Sequence, residues 1–226
     1  MSSVVRAAGT LLIGMAIFVG LPLVGWGVGD AAGFAAHPAR FGYLIVAVLL
    51  QASVVIAVPG VGRSRGRGKK TVRRQRLALM LMQVLSLAIV MAGPYSDRRD
   101  VATVREVETV RYFGLALFSL GFIAMHWAEA LLERQFSLEV SIQEGHRLVT
   151  HGPYRYLRHP RYLGILLFTL GISLVFRSWL ALLLVAAMTI VLVWRIHDEE
   201  ALMRREFGSE WEAYTQRSWR IIPFVY

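Results

Sequence analysis

Long apolar runs dominate this sequence and restrict the folds that are open to it. Hydrophobic residues make up 56% of the 226 residues and charged residues only 18%, against about a quarter charged in an ordinary soluble domain. Runs of about 18 or more apolar residues with few charges are typical of membrane spans. The runs cover residues 7–28, 41–58, 77–92, 112–132 and 162–193.

Breaks within and between the runs predict how the helices end. Pro59-Gly60 follows the second run and Gly93-Pro94 the third, so we expect those helices to stop there. The last run is too long for one ordinary span and is interrupted at 176–179, which indicates a helical hairpin. The sequence therefore predicts an all-α, polytopic transmembrane bundle of about six helices, the last two a hairpin, in a single domain over 1–226.

The distribution of Lys and Arg predicts the orientation of these helices. The stretch 61–76 is rich in Lys and Arg and has no acid, whereas residues 95–111 balance four Arg with four acids. The positive-inside rule places the first stretch in the cytosol, and alternation then puts both termini there. The net charge of +10 therefore reflects loop orientation, and no nucleic-acid partner is predicted. The basic stretch is explained by contact with anionic lipid headgroups, although a substrate gate is the alternative.

The cysteine and histidine content of the sequence limits the kinds of reactive and metal-binding site that the chain can form. The absence of cysteine excludes disulfides, thiolate metal sites and a cysteine nucleophile. The histidines do not fall at ligand spacing with a further ligand, so no metal is predicted. His126 lies inside the fourth run with Glu129 and Glu133 below it. Since intramembrane ionisable groups usually face a bundle interior or cavity, His126 is a candidate substrate contact.

Two polar segments flank the hairpin, which brings them to the same membrane face. The first covers residues 146–162 and the second begins at Arg195 and includes His197, Asp198, Glu199 and Glu200. Together they offer aromatic rings, imidazoles, a guanidinium and carboxylates. S-adenosylmethionine (SAM) has a sulfonium, an adenine, a ribose and an amino-acid tail, and needs apolar walls, acceptors and donors of these kinds.

The order of motifs in these segments resembles the signature of a known family. The first motif is Gly152-Pro153-Tyr154-x-x-x-Arg158-His159-Pro160-x-Tyr162-x-Gly164. The second is Glu199-Glu200-x-Leu202, then Phe207-Gly208-x-Glu210-Trp211-x-x-Tyr214, then Pro223-Phe224. This pattern is similar to that of the isoprenylcysteine carboxyl methyltransferase family. The family belongs to a superfamily of integral membrane methyltransferases that also includes phospholipid N-methyltransferases. The resemblance covers about residues 146–224.

The resemblance implies a cofactor site and its residues. It implies N-terminal transmembrane helices over 1–135 and a SAM-binding region over 136–226, with the cofactor pocket at the cytosolic face. The positions implied for cofactor binding are His146, Leu148, Val149, Tyr154, His159, Pro160, Tyr162, Glu199 and Glu200. Arg195 is implied to contact the methyl acceptor and, with Glu199, to be catalytic. A helix-surface ion pair is the alternative explanation for Arg195 and Glu199, because they are four residues apart.

The implied function is SAM-dependent methyl transfer to a lipophilic acceptor from the bilayer, with S-adenosylhomocysteine as product. A carboxylate acceptor, of the isoprenylcysteine type, can be held by Arg195 and needs no base. An amine or thiol acceptor, such as a phospholipid amine or a small thiol, needs a base, and Glu199, Glu200 and His159 are candidates. Another isoprenoid is a further possible acceptor. The remaining alternatives are an NADPH-dependent reductase of the sterol type and a non-enzymatic transporter or sensor that binds a nucleotide-like ligand.

Overall fold

The structure is a computed structural model that describes residues 3–57, 70–71, 75–105, 107–132, 141–142 and 148–225. In the described chain the α-helices are α1 (Ser3–Met15), α2 (Leu21–Trp26), α3 (Ala31–Ala35), α4 (Pro38–Ala57), α5 (Gln75–Arg99), α6 (Glu108–Leu132), α7 (Pro160–Val175), α8 (Trp179–Phe207) and α9 (Ser209–Thr215). Two short strands, β1 (Lys70–Thr71) and β2 (Ser141–Ile142), pair antiparallel. Helices make up nearly all of the regular structure, which confirms the predicted all-α class.

Several of these helices are long and apolar enough to cross a membrane. Four candidate spans in the described chain are Ala8–Trp26, Gln75–Arg99, Glu108–Leu132 and Trp179–Phe207. A fifth is a bent pair, Val28–Ala35 with Pro38–Ser53, whose two parts differ in direction by 107°. α7 is apolar but has 16 residues, about 24 Å at 1.5 Å per residue, against a hydrocarbon core of about 30 Å. The chain is a multi-pass membrane protein in which α7 is the short arm.

The first span contains a proline whose missing N–H is compensated by a neighbouring helix. A π-helical turn, Ala16–Gly20, joins α1 to α2, and Pro22 follows it. Because Pro22 has no N–H, the Phe18 carbonyl loses its usual helical partner. The hydroxyl of Tyr43, on α4, donates to that carbonyl at 2.9 Å. This bond satisfies a backbone group that lipid cannot and fixes α4 against the first span.

α5 extends beyond the end that the sequence predicts. The Gly93-Pro94 pair predicts a stop there, and this prediction is wrong, because α5 continues through Pro94 to Arg99. Contacts with the turn between α7 and α8 hold the extra residues: Ser178 Oγ donates to Ser96 Oγ at 2.9 Å. A Cβ on Gly93 would lie 3.3 Å from Phe176, so the glycine permits this close packing.

A buried ion cluster, the Asp97 cluster, joins four parts of the chain at this end of the bundle. Asp97, on α5, accepts hydrogen bonds from Arg111 through two nitrogens at 2.9 Å, from Arg177 at 3.0 Å and from Arg40 at 3.1 Å. The side chain of Asp97 is 0% exposed and that of Arg111 is 1% exposed. The charge pattern of residues 95–111 predicts a loop between two spans, which is wrong for Asp97 and Arg111. They lie on helix ends and are paired inside the protein.

α6 and α7 are in backbone contact along one face, which we call the glycine seam. Its glycines are Gly114 and Gly121 of α6 and Gly164 and Gly171 of α7. A Cβ on Gly121 would lie 2.3 Å from the backbone nitrogen of Phe168, a distance that real side chains do not reach. Small residues allow membrane helices to approach this closely, so backbone contact sets the separation of α6 and α7.

α7 and α8 form the predicted hairpin. Ser178 caps the start of α8 by accepting a hydrogen bond from the Ala181 N–H at 3.0 Å. Arg177 has a φ of 51°, which costs a non-glycine residue about 1–2 kcal/mol, and its bond to Asp97 holds it in that conformation. α8 then continues as one helix past the apolar run to Phe207. Its polar half therefore returns to the end of the bundle where α7 begins.

Candidate functional site

The hydroxyl of Tyr162 joins a cation and an anion where the two polar segments meet. Arg195 Nε donates to the Tyr162 hydroxyl at 2.7 Å, and that hydroxyl donates to Glu199 Oε2 at 2.6 Å. Arg195 is only 2% exposed, while Glu199 is half-buried. Because Arg195 is buried, an exposed helix-surface pair does not describe it. We call Tyr162, Arg195 and Glu199 the polar triad.

The loop before α7 places Tyr162 by a sequence of local turns. Gly152 has a φ of 59°, in the left-handed region that glycine adopts without strain, and begins a 3₁₀ turn, Gly152–Arg155. His159 is the N-cap residue of α7 and Pro160 its first residue, where a missing N–H costs nothing. Tyr162 then lies in the first turn of α7, where its ring stacks on the ring of His159 with centroids 5.4 Å apart.

Residues 215–221 lie along this loop and form backbone hydrogen bonds with it; we call them the C-terminal strap. The Trp219 N–H donates to the Tyr156 carbonyl at 2.9 Å, the Arg158 N–H donates to the Trp219 carbonyl at 2.7 Å, and the His159 N–H donates to the Arg220 carbonyl at 2.9 Å. The C-terminal strap therefore covers the outer side of the loop that carries the first motif.

Tyr154 and Tyr214 connect the loop to α6 and α9 as neutral hydrogen-bond donors. Burial raises the pKa of Tyr214 to about 12 and raises the pKa of Tyr154 well above its ordinary value. Both hydroxyls therefore keep their protons at neutral pH. Tyr214 donates to the Tyr154 carbonyl at 2.6 Å, and Tyr154 donates to the Ala128 carbonyl at 3.3 Å.

Glu200 faces away from the polar triad although it follows Glu199 directly. Its Oε1 accepts from Arg158 Nε at 2.8 Å and from His159 Nε2 at 3.3 Å, and its Oε2 accepts from Arg220 Nε at 3.0 Å. Glu200 is 5% exposed. The two adjacent carboxylates thus have different surroundings, since neighbouring helix residues point about 100° apart.

An ion pair lines the α6 side of the same region. Arg161 Nε donates to Glu129 Oε1 at 2.7 Å, with both side chains largely buried. His126 lies one turn before Glu129 on α6. Its described contacts are within its own helix: Nδ1 lies 3.0 Å from the Phe122 carbonyl oxygen and the ring stacks on Phe122 with centroids 4.2 Å apart.

The structure brings together most of the residues that the sequence singles out. Tyr154, His159, Pro160, Tyr162, Arg195, Glu199 and Glu200 lie around the start of α7 and the polar half of α8. Leu148 and Val149 are half-buried in the segment that leads to this loop. His146 lies outside the described residues. His126 is on the neighbouring helix α6, and its described contacts do not reach the polar triad.

Some residues of the site were not singled out from the sequence. Arg158 and Tyr214 stand within the two motifs without an assigned role there, and Arg220 is not part of either motif. Arg161 and Glu129 were not recognised as a pair, since 32 positions separate them. The run of cations next to a pair of carboxylates was the only sequence signal, and it does not say which cation meets which carboxylate.

Comparison with known proteins finds sequence similarity to methyltransferases. A family model described as phospholipid methyltransferase matches residues 110–210. A probable protein-S-isoprenylcysteine O-methyltransferase of Oryza sativa subsp. indica is 28% identical over 165 residues, which are 70% of this chain and 84% of that protein. Protein-S-isoprenylcysteine O-methyltransferase B of Arabidopsis thaliana is 32% identical over 120 residues, 50% of this chain and 59% of that protein.

The fold is also similar to a solved membrane protein. The structure of a eukaryotic intramembrane Ras methyltransferase, isoprenylcysteine carboxyl methyltransferase, superposes with a TM-score of 0.51 over 96% of this chain and 98% of that one. The sequences are 17% identical, so this likeness concerns the fold. It supports the polytopic membrane bundle that the apolar runs predict.

Proposed function

We propose a methyl donor, an acceptor and an orientation for this chain, which belongs to the isoprenylcysteine carboxyl methyltransferase and phospholipid methyltransferase superfamily and is a membrane methyltransferase. The donor is SAM. The acceptor is a lipophilic carboxylate of the isoprenylcysteine type that reaches the site from the bilayer. The reaction takes place at the end of the bundle where α7 begins, and this end faces the cytosol.

The groups around the polar triad suit SAM in charge and polarity. SAM supplies an electrophilic methyl group on a cationic sulfur. The Glu199 carboxylate is half-buried and offers acceptors to a ribose or an ammonium group. Leu148, Val149 and the ring of Tyr154 offer apolar surface to an adenine. With His159, Pro160 and Tyr162 they are the residues that we assign to SAM, and the same assignment extends to His146, outside the described residues.

The observation that carries the acceptor proposal is the buried guanidinium of Arg195. Its Nε is fixed by the Tyr162 hydroxyl at 2.7 Å, and the residue is 2% exposed where the apolar half of α8 ends. A carboxylate that approaches from the bilayer gains a charge-assisted bond from such a cation. Arg195 then aligns the carboxylate oxygen, and no base is needed because a carboxylate is already deprotonated. Exclusion of water and alignment are the main contributions of the chain.

A phospholipid amine is the second candidate acceptor, favoured by the family whose model matches residues 110–210. An amine must lose a proton during methylation. Glu199 is the base that we assign in that case, because Tyr162 and Arg195 already orient it. Methylation of phosphatidylethanolamine but not of a prenylated cysteine by the purified protein would favour this second acceptor.

We expect the purified protein to bind SAM and S-adenosylhomocysteine with a Kd in the micromolar range, about −8 kcal/mol. The expectation rests on the chemistry of the groups around the polar triad. Calorimetric titration in detergent with SAM, S-adenosylhomocysteine and NADPH measures it. Saturable binding of NADPH without a response to SAM would contradict the methyltransferase proposal and favour a reductase.

We also expect the C-terminal region and the α5–α6 connection to lie on opposite sides of the membrane. The Lys- and Arg-rich stretch 61–76 favours a cytosolic position for that stretch, and alternation of the spans then favours a cytosolic C-terminal region. The chain has no cysteine, so single cysteines report accessibility cleanly. Gln216→Cys should react with an impermeant maleimide only in inverted vesicles, and Val101→Cys, 55% exposed, only in right-side-out vesicles. The reverse pattern would reject the proposed orientation.

A further inference from the structure

We propose that Glu200 is a positioning residue that latches the C-terminal strap over the loop before α7 and thereby holds the SAM site together. This inference rests on the proposed function, and it assigns to Glu200 a role distinct from direct contact with the cofactor. One carboxylate accepts hydrogen bonds from three side chains in two distant parts of the chain: Arg158 and His159 from the loop, and Arg220 from the C-terminal strap.

Backbone hydrogen bonds and the Arg158 side chain also attach the C-terminal strap to the loop. The backbone of the C-terminal strap pairs with residues 156–159 through the hydrogen bonds described above, and Arg158 also donates to the carbonyl oxygens of Thr215, at 3.2 Å, and Ser218. The guanidinium of Arg158 thus reaches both the carboxylate and the backbone of the strap. A charged hydrogen bond is roughly twice as strong as a neutral one, so loss of the Glu200 charge weakens the whole attachment.

Glu200 is connected to the polar triad through two routes. The first is His159, whose Nε2 donates to Glu200 and whose ring stacks on Tyr162 at 5.4 Å. The second is Ile221 at the end of the strap, which packs in one apolar cluster with Tyr162, Met188 and Leu192. Both routes end at Tyr162, the residue that orients Glu199 and Arg195. A loosened strap therefore frees Tyr162 and disorders the groups assigned to SAM.

The adjacent glutamate provides the contrast. Glu199 accepts from Tyr162 at 2.6 Å and is half-buried, whereas the oxygens of Glu200 already accept three bonds from the protein and the residue is 5% exposed. The two carboxylates therefore have different roles: Glu199 faces the ligand, and Glu200 holds the C-terminal strap against the loop before α7.

A reversible cross-link separates a latch from a direct cofactor contact. Leu157 and Trp219 form a parallel bridge pair, and paired strands lie about 4.8 Å apart, within the range that a disulfide spans. In the otherwise cysteine-free chain, Leu157→Cys with Trp219→Cys gives a strap that can be locked by oxidation and released by reduction. SAM affinity, turnover and disulfide yield are then measured with and without Glu200→Gln.

We expect Glu200→Gln to raise the Kd and the KM for SAM about tenfold or more in the reduced protein, with kcat largely retained at saturating SAM. Oxidation of the same protein should restore SAM affinity to within a few fold of the oxidised parent. Glu200→Gln should also slow disulfide formation, a readout that needs no SAM. Arg220→Gln, which removes only one of the three partners, should give a smaller effect in the same direction if Glu200→Gln does not fold.

Other outcomes would overturn the latch. Normal SAM affinity in the reduced Glu200→Gln protein would show that Glu200 does not hold the SAM site together. Weak binding that persists after full oxidation would show that Glu200 touches the cofactor itself. If the parent chain binds no SAM, the proposed function fails, while the rate of disulfide formation still tells whether Glu200 holds the strap.

Discussion

Arg195→Ala should lower methyl transfer by about a hundredfold or more while the Kd for SAM stays within a few fold. The guanidinium is buried and fixed by Tyr162, and we assign it to the acceptor carboxylate. Loss of acceptor alignment by even 1 Å can cost about a hundredfold in rate. The effect should therefore appear in kcat and in kcat/KM for the acceptor.

Matched variants make this expectation specific. Glu199→Gln should weaken SAM binding by about ten- to a hundredfold, since a charge-assisted bond contributes roughly 1.5–3 kcal/mol. Tyr162→Phe removes the hydroxyl between the two charged groups and should affect both the Kd for SAM and turnover. SAM affinity, turnover and Tm are measured for each protein. Equal small losses of Tm in Arg195→Ala and Glu199→Gln, with normal binding and turnover, would remove these residues from the site.

Asp97→Asn should destabilise the protein by about 3–5 kcal/mol, because it leaves three guanidiniums inside the protein without their carboxylate. A change of this size lowers Tm by roughly 10 °C for a chain of this length. The substitution removes the common partner of Arg40, Arg111 and Arg177. Thermal unfolding in detergent measures the loss, and SAM affinity at low temperature should stay close to normal because the Asp97 cluster lies at the opposite end of the bundle.

Asp100→Asn is the control for that substitution. Asp100 is 77% exposed and lies 3.5 Å from Arg177, and exposed ion pairs contribute about 0–1 kcal/mol. Its φ is 50°, a conformation that asparagine adopts readily. We expect almost no change in Tm. Equal Tm values for the two variants would mean that the Asp97 cluster contributes no more to stability than a surface pair.

Local patterns in the sequence were sufficient to locate the main apolar helices and to bring the two polar segments to one end of the bundle. The apolar runs have the lengths of spans, and the break at 176–179 marks the hairpin that the structure contains. Once the hairpin is recognised, Tyr162 and Glu199 must come to the same end of the bundle, where they share a 2.6 Å hydrogen bond. Residues with fixed spacing on regular helices could therefore be placed without a structure.

The features that the sequence did not predict depend on contacts between distant positions. Pro94 is typical of a helix stop, but contacts with distant positions, among them Ser178 in the α7–α8 turn, hold α5 to Arg99. Asp97 and Arg111 look like loop charges until Val175 and Arg177 are placed beside them. Glu200 looks equivalent to Glu199, because nothing local indicates that Arg220 reaches back to it.

The glycine seam has a consequence for the route of a lipid into the protein. Helices whose backbones touch at Gly121 and Phe168 leave no slot between them that is wide enough for a hydrocarbon chain, and opening one would separate two helices that pack along most of their length. A lipid chain therefore cannot enter the protein from the bilayer between α6 and α7. The prenyl or acyl tail of the proposed acceptor would have to enter between a different pair of helices.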